Sequence, residues 1–303
     1  MESALIYLGF VLISAGLVSV IKPMRWLGLR TRRIAVIAVG VGVFLEFAAG
    51  NMLDSFLVYF GLVLTLAGLL SLIRPIGFLF VETRRVAAIG IAAGLLLLIL
   101  ALLLPTGAEK VSAPVARIDD WMPRWQIGER HVIHIAAPPE AVFAAIHAVR
   151  ADEIFLFRTL IAIRSCYQTG PESIMNPPAQ KPLLDVATQT TFVLLAEEAP
   201  REIVIGTVIA APRGTRALSG GLTPELFRRT LPPGVALAAM NFLVRPDDHG
   251  GSTISTETRI YANNSSALRR FVIYWRVIHP GSDIIRRMWL RAIKQRAEGK
   301  VKA

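Results

Sequence analysis

The chain has 303 residues, a mean hydropathy of +0.52 and a formal net charge of +11. That average is too apolar for an ordinary soluble protein, and position reconciles it with the charge: residues 1–104 carry 8 Lys/Arg and 4 Asp/Glu, residues 105–303 the other 25 and 18. A lone cysteine, Cys166, excludes an internal disulfide and any metal site built from several cysteines.

The first third contains four apolar runs, 4–21, 34–50, 55–73 and 86–104. Each is close to the roughly 20 residues that a helix needs to cross a bilayer core, where a segment must satisfy its own backbone hydrogen bonds. No basic region precedes the first run and no small-residue cleavage site comes after it, so it reads as a retained helix and not as a signal peptide. The segment SVIKPMRWLGLRTRRIA at 19–35 returns as SLIRPIGFLFVETRRVA at 71–87, and a gapless alignment of Tyr7–Ala35 with Tyr59–Ala87 keeps 15 of 29 positions. The unit is helix, basic loop, helix, so the expectation is an all-α membrane domain of four helices made from a duplicated hairpin.

The basic loops set an orientation. Loop 22–33 carries Lys22, Arg25, Arg30, Arg32 and Arg33, and loop 74–85 carries three arginines, while the connector 51–54 has no positive residue. Positive residues beside spanning helices stay cytoplasmic, which places residue 105 onward outside. Gly90-xxx-Gly94 aligns with Ala38-xxx-Gly42 as a small-residue pair suited to close helix contact. Glu46 lies near the outer end of its run and reads as an interfacial carboxylate. Unbroken helices and a parallel repeat favour an anchor over a transporter.

Residues 105–126 change composition and read as a linker ending in Trp121 and Trp125, which either sit at the membrane interface or cap the next domain. From 127 to 303 the pattern is α+β. HVIHIA (131–136) alternates as a strand, and PPEAVFAAIHAVR (138–150) opens with prolines suited to a first helical turn. Residues 190–210 read as two strands about a turn at 197–201, and 235–262 as two more joined by DDHGG. A long helical segment runs from Ser265, with Pro280 and Gly281 expected to break or kink it and Ser282 or Asp283 to cap the helix beyond the break. In its last part Ile284, Ile285, Met288, Trp289, Ala292 and Ile293 share one face, flanked by Arg286, Arg287, Arg291 and Lys294.

IAAPPEAVFAAI (135–146), REIVIG (201–206), STETRIYANNSSALRRFVIYW (255–275) and HPGSDIIRRMWLRAI (279–293) together resemble the START-like, or SRPBCC, helix-grip superfamily over roughly residues 115–297. The resemblance implies a curved antiparallel sheet around a long C-terminal helix, with an apolar cavity between them. Members include lipid carriers, polyketide cyclases and aromatase-like enzymes, ring-hydroxylase subunits and ligand sensors, so it implies a fold and a pocket rather than a reaction.

Chemistry-bearing motifs are sparse. The five histidines, His131, His134, His147, His249 and His279, form no zinc-like spacing and read as structural, with His131 and His134 on opposite faces of a strand. There is no G-x-S-x-G elbow, LSGGLTPE (218–225) lacks a phosphate-loop pattern, and the metal-ligating ring-hydroxylase motif is absent. No catalytic residue, metal or cofactor is therefore expected. The candidate ligand-binding residues are Arg158, Glu202, Glu257, Arg259, Phe271 and Tyr274. Glu257 and Arg259 share a strand face and must pair if they point inward, because an isolated buried charge is very costly. Phe271, Tyr274, Trp275 and Ile278 form an i, i+3, i+4, i+7 stripe on the long helix, either cavity wall or plain core.

The expected function is membrane-anchored binding, and transfer, of a hydrophobic ligand such as a lipid or isoprenoid. The alternatives are a cyclase- or aromatase-like enzyme in the same cavity, or a ligand sensor or assembly factor. Expected partners are the small hydrophobic molecule and the membrane, not nucleic acid. The expected location is a bacterial inner membrane, with the C-terminal domain extracytoplasmic.

Overall fold

The computed structural model describes residues 2–21, 29–49, 53–73, 83–165, 170–215 and 221–300. Most of both basic loops, Cys166 and the start of LSGGLTPE lie outside the described residues, as does the side chain of Glu46. The chain divides into two units: Met1–Pro105 with Trp275–Pro280, and Thr106–Tyr274 with Gly281–Ala303.

The first unit holds four helices, α1 (Glu2–Ile21), α2 (Arg32–Ala49), α3 (Leu53–Ile73) and α4 (Arg84–Leu103), with α1 packed along α2 and α3 along α4. The repeat in sequence is a repeat in structure. Thr31 and Thr83 each accept the N–H three residues on, from Ile34 and Val86, at 3.3 Å, which satisfies an otherwise orphaned donor of the helix start. The same two close approaches recur. A Cβ on Gly16 would lie 2.6 Å from Val39 and 2.9 Å from the Ala35 carbonyl, and one on Gly68 2.6 Å from Ile91 and 2.8 Å from the Ala87 carbonyl. Gly42 meets the Gly9 carbonyl and Gly94 the Gly61 carbonyl, each at 2.7 Å. Small residues at these crossings let the two backbones touch. Gly90 makes no such approach, so only the second member of the expected pair works as a contact.

Two of the described helices, not the expected four, are long and apolar enough to cross a bilayer, Asp54–Ile73 and Arg84–Leu103. The 18 residues of α2 include Arg32, Arg33 and Glu46, and several side chains of α1 lie outside the described residues. On α3 and α4 the outward side chains are apolar as well, Val63, Leu66, Leu70, Ile89, Leu96 and Ile99 all being exposed. A helix at a soluble surface would carry polar residues there.

In the second unit, a two-stranded ribbon of β1 (Glu109–Lys110) and β2 (Arg124–Trp125) flanks α5 (Arg117–Trp121). The stretch expected as a linker is thus folded. Ile118, Met122 and Trp125 are buried, and Trp125 is packed inside this domain. Next in the chain are β3 (Ile127–Ile135), α6 (Pro139–Ala148), a 3-10 turn at Ala151–Glu153, α7 (Phe157–Arg164), α8 (Leu183–Thr190), β4 (Val193–Glu198), β5 (Glu202–Ala210), α9 (Pro224–Arg228), β6 (Ala236–Pro246), β7 (Ser252–Ala262) and α10 (Ser265–Ala297). The five long strands form one antiparallel sheet in the order β3-β7-β6-β5-β4. The class is α+β, with an antiparallel sheet and a long C-terminal helix.

The β6–β7 hairpin closes where DDHGG predicts it. Asp247 Oδ1 accepts the N–H groups of His249 and Gly251 at 2.8 Å each, and Gly250 takes a φ of 77° that a residue with a Cβ adopts only under strain. Both faces of the sheet are covered. One packs α6, α8 and the C-terminal half of α10 over Ile203, Ile205, Met240, Phe242 and Ile254, with the Trp289 ring edge-on to Phe242 at 5.1 Å. The other packs α5 and α9 over Leu195, Val204, Leu237 and Ala239. Gly206 is needed there, since a Cβ would come within 2.6 Å of the Phe227 ring of α9.

The expected break at 279–283 does not occur: α10 runs on through Pro280. Proline costs one backbone hydrogen bond but its φ is helical, and the side chains on either side anchor the helix. Arg276 donates to Asp54 Oδ2 at 3.2 Å and to the Leu104 carbonyl at 2.9 Å. Asp283, expected as a possible cap, accepts from Arg287 one turn on at 2.8 Å.

Candidate functional site

The sheet presents two chemically different faces, set by strand alternation. On β7, Ser255, Glu257 and Arg259 face α5, while Thr256 and Thr258 face α10, as the TETR alternation predicts.

The α5 face gathers three of the sequence candidates. Arg259 donates to Asp119 Oδ1 at 2.7 Å, to Glu257 Oε1 at 2.6 Å and to the Met122 carbonyl at 3.1 Å, and its guanidinium lies 4.0 Å over the Trp125 ring. Burial alone would raise the Asp119 carboxyl, but the Val115 and Ala116 N–H groups and Arg259 hold it below the usual carboxylate range. Glu202, fully buried, accepts the N–H groups of Arg117 and Ile118 and the Asn241 amide, so it caps α5 onto the sheet. Asp119, Trp125, Glu257 and Arg259 line a groove of about 510 Å³ on that face, together with Arg130, Arg245 and Ser255. Glu257 and Arg259 therefore do not form the polar end of a cavity beneath α10: they lie on the other side of the sheet, and their valences are spent on holding α5.

The remaining candidates are dispersed. Arg158 is exposed on α7. Phe271 is buried, and Tyr274 is half exposed with its ring 5.7 Å from Phe271, so the stripe turns two ways. The Tyr274 hydroxyl accepts from Arg164 at 2.9 Å.

The α10 face holds a cluster that no sequence motif singles out. Across the sheet, Ile203, Phe242, Thr256 and His131 form one row and Ile205, Met240, Thr258 and Glu129 the next. The β5–β6 side is thus apolar and the β7–β3 side polar. His131 Nε2 lies 2.7 Å from Glu129 Oε1 and 3.5 Å from Asp283 Oδ1. Ser282 donates to the other Glu129 oxygen at 2.9 Å, and Arg287 holds the other Asp283 oxygen. His134, by contrast, is exposed and meets Asp247, so the two histidines do face opposite ways.

Above this row Asp283, Arg286, Trp289 and Leu290 share one side of α10. Arg286 Nη1, Trp289 Nε1 and Thr256 Oγ1 are buried with no hydrogen-bond partner. Burial pushes the Arg286 guanidinium down from its ordinary range, Glu129 opposes this, and Arg164 adds to it by like-charge repulsion. The signal is present in sequence: DIIRRMWL puts Asp283, Arg286 and Trp289 three apart, and Glu129 and His131 lie two apart on a strand. The basic residues read as a flank there because only the sheet's position decides which flank is covered.

Glu129, His131 and Asp283 turn ligand atoms within 4.8 Å of one another, a spacing that a metal ion could bridge. Charge argues against a dication. Arg287 bonds Asp283 and Arg286 lies within electrostatic reach of Glu129, so both carboxylates already have a positive neighbour.

No family model, curated protein or solved structure matches this chain.

Proposed function

We propose that the protein is a membrane-anchored binder of a hydrophobic ligand, a lipid or isoprenoid, held between α10 and the sheet and passed on from there. The carrying observation is the α10 face itself. Beside its packed apolar rows stand buried donors without partners, a polar demand that a ligand group would meet. The sheet order β3-β7-β6-β5-β4 closed by a long terminal helix supports the helix-grip resemblance. Four helices with apolar outer surfaces and a duplicated basic loop support an anchor in a bacterial inner membrane, with both loops cytoplasmic and residues 106–303 extracytoplasmic.

Native mass spectrometry of the full chain released from detergent tests the binding. A lipid that stays bound after detergent is stripped is the expected result. A bare protein that also extracts no labelled lipid from vesicles sinks the proposal. For the topology, cysteine at Ala108 should react with an impermeant reagent in intact cells and cysteine at Thr31 should not; the reverse pattern inverts the orientation.

One observation favours a second reading, a cyclase-like enzyme. His131 between two buried carboxylates is placed to move a proton. His131→Gln that retains its lipid but loses turnover of a bound polyketide-like substrate would favour that reading.

A further inference from the structure

The donors without partners on the α10 face specify what they would bind. Arg286 Nη1 and Trp289 Nε1 can only donate hydrogen bonds, and Thr256 Oγ1 can donate one. Trp289 is 2% exposed and Thr256 1%, so water at the protein surface does not reach these atoms. A buried donor left unmade is costly, and native proteins keep few of them. The three atoms belong to one side of the domain. Arg286 and Trp289 are one helical turn apart, the Trp289 ring packs on Phe242, and Phe242 is the register neighbour of Thr256. Arg164 lies within electrostatic reach of Arg286, is bonded to a tyrosine hydroxyl, and makes no ion pair among the described residues. The local carboxylates are already engaged, Glu129 by Ser282 and Asp283 by Arg287. The complement to this set is a group rich in acceptors that carries negative charge, since Arg286 Nη1 is a charged donor without a partner.

Resting on the ligand-binding reading above, we infer that the ligand presents an anionic group, a carboxylate or phosphodiester, to Arg286, Trp289 Nε1 and Thr256 Oγ1. Arg286 forms charge-assisted hydrogen bonds to the anion, which are stronger than neutral ones.

The test uses the full chain in detergent and three probes: a phosphatidylglycerol, the diacylglycerol with the same acyl chains, and inorganic phosphate. Wild type should bind the phosphatidylglycerol about 10- to 100-fold more tightly than the diacylglycerol, the range expected for hydrogen bonds to a charged group. Arg286→Gln should reduce that ratio to near one while leaving diacylglycerol affinity unchanged. Trp289→Phe, which keeps the ring and removes the N–H, and Thr256→Val should each reduce the ratio several-fold, so the inference stays open to refutation if Arg286→Gln does not fold. Equal affinity for the two lipids in wild type, or a ratio unmoved by all three variants, overturns the inference while leaving lipid binding intact. Failure to bind either lipid overturns the ligand-binding reading itself. In that case, protection of wild type by inorganic phosphate, lost in Arg286→Gln, would still uphold the anion site, with free phosphate as the source; no such protection would overturn both.

Discussion

The two faces of one sheet solve opposite problems. Beneath α5 the polar groups interlock: Arg259 has two carboxylates, a carbonyl and an aromatic face, and Glu202 has three donors. Beneath α10 three buried donors have nothing. Both faces carry arginine near acids, so composition does not separate them. Satisfaction does: a network that holds a helix in place completes its bonds internally, whereas a network that receives a ligand leaves bonds for it.

The same substitution on each face should give opposite results. Arg259→Met strands Asp119 and Glu257, and should destabilise the domain by about 3–5 kcal/mol in denaturant unfolding. Arg286→Met removes a charge that has no bonded partner, and should cost less than about 1 kcal/mol or stabilise. Equal losses would erase the distinction between the faces.

Smaller probes refine the contrast. Asn241→Leu leaves Glu202 short of one donor and Glu257 N–H without its acceptor, and should cost about 1–3 kcal/mol. Acid should find the ion pairs. Asp119, Glu153 and Glu298 have carboxyls held below their ordinary values, Glu298 to about 2. A depressed folded value means stability that is fully present above the unfolded carboxylate range and lost as pH falls through the folded one, so unfolding should become easier from about pH 5 down to pH 2. Asp119→Asn should flatten part of that slope, measured by urea midpoints across pH; an unchanged slope would show that the α5 pair does not titrate with folding. The smallest expected effect is Thr256→Val, within about 0.5 kcal/mol of wild type, because its hydroxyl has no partner to lose. A loss above about 1 kcal/mol would reveal a bond on the α10 face.

Much of the fold is legible in the sequence because its signals are local. The hairpin at DDHGG, the turn at 197–201 and the helix that opens on Pro138-Pro139 depend on residues within a few positions of one another. The duplicated hairpin is legible because a 52-residue shift carries its glycines with it, and Gly16 and Gly68 make the same contact. Two expectations fail for tertiary reasons. Pro280 reads as a break, yet partners on both sides carry α10 through it. Alternation places Glu257 and Arg259 on one strand face, but it does not say which face of a sheet a long helix will choose.

The apolar first third, its internal repeat, the succession of the five long strands with α6 and the long C-terminal helix, and the alternation that sends Thr256 one way and Arg259 the other all come from the sequence alone. Which charges are spent and which remain available is settled only in three dimensions. Asp119 meets Arg259, and Asp283 meets His131, across long stretches of chain, and a side chain's hydrogen-bond partners depend on the groups brought opposite it in space rather than on its neighbours in sequence.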